Sequence, residues 1–308
     1  MSRTVTAGLD GSPESRAAAD WAAREALRRG LPLRLVHVHE WQPYSSVHAP
    51  LAGAVAAVDP DAQQQWAESL PRDAAAVLAG RHPDLEISAG LVSGQPAAAL
   101  AAAAEESELL VLGSRGLGAL AGFLVGSVAS ATVAQAVRPV VLVRAGEKGD
   151  DEHRPDLDGL VSEYTPFRDV VLGIDLARPH DDLLAFSFEA AMLRGTGLRV
   201  VHGWNLPASY GYNPAAIALD LEHELTGAQA KALAQVLAPW RAKYPAVEVV
   251  EHSVAGGAAH HLIEAAADAS LVVVGRRVRR AAAGLHVGPV THAVLHHAKA
   301  PVAVVPHD

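Results

Sequence analysis

The sequence predicts an α/β protein built twice over. Each of two tandem domains is a five-stranded parallel sheet with helices on both faces. Three observations predict it. Short Val/Leu runs alternate along the chain with amphipathic stretches of helical length. The runs LLVLG, VVLVR, LVVVG and VAVVP are apolar without interruption, as parallel strands buried on both faces require. Gly113, Gly126 and Pro139 recur as Gly275, Gly288 and Pro301, each 162 residues on.

Taken in order, Thr4–Leu9 reads as a strand, and Pro13–Arg29 as a helix opened by Ser12 and closed by Gly30. Leu33–His39 is the second strand, followed by a polar, Pro-containing loop from Gln42 to Pro60. A helix over Asp61–Arg81 contains Pro71, which is expected to kink or split it. Glu86–Leu91 is the third strand, Pro96–Glu106 a helix and Leu109–Leu112 the fourth strand. A Gly-rich loop then leads to a helix at Ser127–Val137 and a fifth strand at Val140–Arg144. In the second half, Asp169–Ile174, Leu198–His202, Leu271–Val274 and Val302–Val305 repeat strands one, two, four and five. Between the halves, Gly146–Pro166 is rich in Asp, Glu, Gly and Pro and reads as a linker. The expected division is therefore residues 1–146, a linker at 147–166, and 167–308.

Composition agrees and excludes several functions. The 308 residues suit two domains of about 100–200 each. Apolar types make up 50%, enough for a core in each half. The formal charge of −9 argues against general nucleic-acid binding, which needs clustered cations. Cysteine is absent, which removes disulfides, thiol nucleophiles and Cys-ligated metals, and fits a reducing compartment. No signal peptide or membrane-length apolar run is visible, so the expected location is the cytoplasm.

The most informative segment is Gly113-Ser-Arg115-Gly116-Leu-Gly118, running on to Gly126-Ser127-Val128. It follows an apolar strand and opens a helix, the setting in which a Gly-rich loop holds phosphate. Ser127 is expected as the N-cap, with free N–H groups behind it. The first strand ends in Gly8-Leu9-Asp10-Gly11-Ser12. In a sheet of order 3-2-1-4-5, the carboxyl ends of strands one and four flank one crevice. Asp10 and Gly113 then share it, with Asp10 available to a ribose hydroxyl or an adenine amine. Ser12 is expected to cap the helix rather than to touch a ligand.

Gly113-x-x-Gly116, nine residues and then Gly126-Ser127 resembles the ATP-binding pattern of the universal stress protein family. Gly8-x-Asp10-x-Ser12, Val36-His37-Val38 and Arg138-Pro139-Val-Val-Leu-Val143 are similar to that family as well. The resemblance covers nearly all of residues 1–145 and, more loosely, 168–308. It implies a Rossmann-like fold of the adenine nucleotide alpha hydrolase type and a stress-response regulator that binds ATP, with or without Mg. It implies that Gly8, Leu9 and Asp10 line the adenine and ribose side, with Val38 meeting adenine through its backbone. Leu112, Gly113, Arg115 and Gly116 would border ribose and phosphates, and Gly126, Ser127, Val128 and Ala129 would hold the phosphates. Ala129 stands where family members often carry a second hydroxyl. In the family such domains pair through the last strand, which here implies pairing of Val140–Val143 with Val302–Val305 within one chain, and leaves a homodimer open.

In the second half Val278 stands where Gly116 stood, and Pro289 where Ser127 stood. Valine disfavours positive φ, and proline lacks the N–H a phosphate would use. The fold is expected to survive there without the anion cradle, and Asp175 is retained at the strand end. Arg276, Arg277, Arg279 and Arg280 are expected to form a solvated basic loop or to face acidic groups of the first domain, with anion binding the lesser reading. Among 16 histidines only pairs such as His292/His296 and His260/His261 appear, short of the three or four ligands zinc needs. No catalytic Ser/His/Asp set is evident. A slow ATP hydrolase, with Asp10 assisting a metal and Arg115 meeting developing charge, and a scaffold with vestigial sites are the alternatives to a nucleotide-binding regulator.

Overall fold

A computed structural model describes residues 3–39, 60–114, 125–205, 219–278 and 287–308. The first half runs β1 (Thr4–Leu9), α1 (Pro13–Arg29), β2 (Leu33–His39), α2 (Pro60–Arg81), β3 (Ile87–Ser93), α3 (Pro96–Glu105), β4 (Ser107–Ser114), α4 (Ser127–Gln135) and β5 (Val140–Arg144). The second runs β6 (Val170–Gly173), α5 (Asp181–Arg194), β7 (Leu198–Trp204), α6 (Leu219–Lys243), β8 (Val249–Ala255), α7 (Ala258–Ala265), β9 (Leu271–Arg277), α8 (Pro289–His297) and β10 (Val302–His307).

The strands follow the order β3-β2-β1-β4-β5-β10-β9-β6-β7-β8. Each half is thus a parallel 3-2-1-4-5 sheet, and the two join where β5 meets β10 antiparallel, with Leu142 opposite Val302 and Val140 opposite Val304. Both strands are almost wholly buried. An apolar strand left at an open edge invites pairing, and here each edge covers the other. One core lies between the sheet and α1, α2, α5 and α6, with Trp21, Leu78, Phe188 and Leu237 in it. The other lies under α3, α4, α7 and α8, with Leu100, Val133, Leu262 and Val294.

Several boundaries differ from the sequence expectation. β4 extends to Ser107, whose hydroxyl is satisfied inside the sheet by Thr6 Oγ1 and the Ala103 carbonyl, each at 2.7 Å. α2 is a single helix through Pro71 rather than two pieces. One lost intrahelical bond is outweighed by the packing of α2 on the sheet, where Leu78 joins the core.

The segment that reads as a linker is only partly one. Leu157, Leu160 and Tyr164 are exposed, but Glu152 and His153 are buried. Glu152 accepts from Arg24 at 2.9 Å and from Arg28 at 2.6 Å, both on α1. Next to it, Arg194 of α5 donates to Glu25 of α1 at 2.8 Å, with both side chains fully buried. Arg29 and Arg28 also reach Glu25, at 2.7 and 2.8 Å. Burial alone would raise the Glu25 carboxyl, but Arg194, Arg29 and Arg28 override it and hold it well below the ordinary 4.5. Two helices from different halves and the segment between them are therefore tied by one desolvated ionic cluster. The acidic composition of the segment fits its exposed part. It does not reveal that one of the acids is destined for burial.

Candidate functional site

The site expected from sequence lies beyond the carboxyl ends of β1 and β4. Asp10 leaves β1 in a tight turn, its Oδ1 accepting from the Ser12 N–H at 3.0 Å and from the Ser12 hydroxyl. Ser12 Oγ in turn accepts from Ser15 N–H at 3.1 Å, so Ser12 caps α1. Gly11 has φ +82°, a conformation costly for any residue with a side chain. The carbonyl of Leu9 accepts from His37 Nδ1 at 2.7 Å. The second half repeats this contact, His202 Nδ1 meeting the Ile174 carbonyl at 3.1 Å. These buried histidines escaped the sequence reading. The visible signal was their recurrence 165 residues apart within matching Val-rich strands.

The glycines have structural reasons to be there. A Cβ on Gly113 would lie 2.6 Å from the Glu14 carbonyl carbon, so β4 can end against α1 only without a side chain. A Cβ on Gly8 would meet Leu112 at 2.6 Å. The Leu9 side chain is buried toward α1 and α2, whereas Leu112 and Val38 pack toward α3 and α4. Of the expected site residues, Arg115 and Gly116 lie outside the described residues.

At α4 the expected cap is displaced by one residue. Gly126 is the N-cap, with φ −59° and ψ 150° and no side-chain cap, and Ser127 is the first helical residue. The first bond into the helix runs from Ser130 N–H to the Gly126 carbonyl at 2.9 Å. The N–H groups of Ser127, Val128 and Ala129 precede it and have no partner within the helix. Ser127 and Val128 are exposed, while the Ala129 methyl points into the core. A hydroxyl at position 129 is therefore dispensable for the backbone donors, which combine with the helix dipole to favour an anion.

The second half differs at the equivalent positions. Pro289 is the first residue of α8 and removes one donor. Val278 N–H donates to the His307 carbonyl at 2.7 Å, so pairing continues where the first sequence has Gly116. β10 is longer than β5, and the His307 ring fills the space over Gly275, its Nε2 lying 2.7 Å from where a Cβ would stand. Asp175 keeps its tight turn, accepting from Ala177 N–H at 3.0 Å. Arg276 belongs to β9, not to a solvated loop. It is buried and donates to the Ala136 carbonyl at the end of α4. Arg277 is exposed, and Arg279 and Arg280 lie outside the described residues. Among the described residues no three His, Asp or Glu side chains converge as a metal site would need.

Comparison with known proteins agrees with this duplicated architecture. The profile of the Universal stress protein family matches residues 1–144 and again 166–306. The universal stress protein Rv2005c of Mycobacterium tuberculosis is 34% identical, over 97% of this chain and 96% of its own length. Rv1996 of the same organism is 31% identical, over 99% and 96%. Among solved structures, a universal stress protein from Archaeoglobus fulgidus aligns over the whole of both chains with a TM-score of 0.65 at 15% identity, a likeness of fold. Among the described residues no helix is long and apolar enough to cross a membrane.

Proposed function

The chain belongs to the universal stress protein family, and from that premise we propose that its first half, residues 1–146, is a receptor for an adenine nucleotide, ATP by the motif, while residues 167–308 have lost the phosphate cradle. The observation that carries this reading is the start of α4. Three backbone donors, with no side-chain cap among the described residues, stand at the helix end that follows the Gly113 strand. Asp10 projects from the neighbouring strand end, since β1 and β4 are paired. The same positions in the second half carry a proline and a histidine-filled gap. One chain therefore holds both the open and the closed version of a site.

Occupancy would act by stabilisation rather than by chemistry. A ligand at a hundredfold excess over its Kd stabilises the state it binds by about 2.7 kcal/mol. That is enough to favour one form of the protein and alter its contacts with a partner. Hydrolysis would need a positioned base, and the sequence places no obvious one. The regulator reading is preferred to a slow ATP hydrolase on that ground, and to a scaffold on the ground of the open α4 end.

Ligand released from denatured, freshly purified protein and identified by mass spectrometry tests the proposal, together with titration of a fluorescent ATP analogue. Ser127→Pro copies the second half at a position where proline fits a helix. It is expected to weaken analogue binding by about tenfold or more, the loss of one to two charge-assisted bonds. Undiminished binding in Ser127→Pro and in Gly116→Val would show that the cradle is not the site. Phosphate release that both variants abolish would instead establish the hydrolase.

A further inference from the structure

The duplication offers an internal control on packing, and it exposes a cleft on the face of the sheet opposite α4. Two spacings relate the halves. Val5 pairs with Leu33 as Val170 pairs with Leu198, and Gly30 closes α1 as Gly195 closes α5, all at 165 residues. At the far end of α2, His82 bonds back to Leu78 as Tyr244 does to Trp240, at 162 residues. With these registers, Gly11, Ala19, Ala74 and Leu78 correspond to Leu176, Leu184, Val236 and Trp240.

In the second half those larger side chains pack on the core beside α5 and α6. Leu184 is buried, Leu176, Val236 and Trp240 pack on the core, and Trp240 stacks with Phe188 at 5.9 Å. In the first half the smaller residues leave a cleft of about 500 Å³ between α1 and α2, lined mainly by apolar surface. Trp66 and Leu70 form its wall and are larger than their counterparts Ala228 and Ala232. The Trp66 ring is held edge-on by His37 at 5.5 Å and remains 51% exposed. Across the cleft mouth, Arg81 bridges Asp20 at 2.8 Å. Arg16 also lines it and has no carboxylate partner among the described residues.

We propose that the cleft between α1 and α2 is a second ligand site, for a compact aromatic molecule bearing one anionic group. The volume lies within the roughly 300–1,000 Å³ of small-molecule pockets, and the lining has their character of apolar walls with few polar groups. Trp66 supplies a ring face, Leu9, Ala19 and Leu78 the apolar floor, and Arg16 the counter-charge. The same fold accepts larger side chains at these positions, as Leu176, Leu184, Val236 and Trp240 show. Leu9 also stands among the residues expected on the adenine side, but its side chain faces α1 and α2, whereas the start of α4 belongs to the opposite core, so the cleft does not depend on the nucleotide proposal.

Two probes test it: anilinonaphthalene sulfonate, aromatic and anionic, and phenylnaphthylamine, its uncharged relative. Saturable binding of one sulfonate probe per chain, read by fluorescence, is expected. The double variant Ala19→Leu, Ala74→Val imports the residues of the second half and is expected to weaken both probes by about tenfold or more, with the circular dichroism spectrum of the parent retained. Arg16→Ala should weaken the sulfonate alone. Unsaturable binding, or binding unchanged in the double variant, would overturn the site. Equal loss of both probes in Arg16→Ala would overturn the anion assignment.

Discussion

Glu25 and Glu147 are carboxylates of the same chain pushed in opposite directions, and the two shifts give stability a defined pH profile. Glu25 is desolvated but ringed by Arg194, Arg29 and Arg28, which keep it ionised. Its folded-state value lies below that of the unfolded chain, so its contribution is present above about pH 4.5 and is lost as pH falls. Glu147 borders a polar hollow of about 330 Å³ lined also by Arg144, Asp151, Arg168 and Lys299. Burial first, then Asp151 and Glu152, push its carboxyl up to about 8 against the pull of Arg24 and Arg144. Here the folded state holds the proton more tightly, so stability is full below 4.5 and declines as pH rises toward 8. Glu147→Gln should therefore leave the urea midpoint near that of the parent at pH 5 and raise it at pH 8. Coincident midpoints at both pH values would contradict the assignment.

At the scale of single elements, the two helix starts of the first half are built for different tasks. α1 begins with a side-chain cap, Ser12, which also ties down Asp10, so its end is satisfied by the chain itself. α4 begins on a glycine, which brings no side-chain cap of its own. Ser12→Ala is expected to cost about 1 kcal/mol of stability, the usual worth of an N-cap. Urea denaturation measures it. Nucleotide affinity should change less than in Ser127→Pro, because Ser12 acts on the turn and not on phosphate. A larger effect of Ser12→Ala on affinity than on stability would make Ser12 a ligand contact after all.

Across the whole molecule, the halves share a sheet through β5 and β10 and an ionic cluster through Glu152, Glu25 and Arg194. A buried ion pair contributes little relative to apolar packing, yet removing one partner strands the others. Glu152→Gln takes from Arg24 and Arg28 a buried anion they share, leaving them Asp20 and Glu25 respectively, and is expected to lower stability by about 3 kcal/mol. Because the lost contacts hold the joining segment against α1, beside the Arg194–Glu25 pair that ties the halves, the circular dichroism and tryptophan fluorescence transitions, expected to coincide in the parent, should separate in the variant. A merely shifted but still coincident transition would place the coupling in the sheet alone.

The doubly wound fold, its duplication and the replacement of Gly116 and Ser127 by Val278 and Pro289 in the second half were all legible in the amino-acid order. Each rests on short-range physics: an uninterrupted Val/Leu run is a buried strand wherever it sits, and Pro289 lacks an N–H in any fold. The fate of single side chains was not legible. Arg276 looks like one of four loop arginines but ends buried against Ala136, and Glu152 looks like a solvated linker acid but ends in the ionic cluster. Nothing local separates Ala19 and Ala74, which leave a cleft open, from the many alanines that pack shut. Burial, ionisation and the filling of a groove are set by atoms that segments far apart in the chain bring together, so only the tertiary structure could decide them.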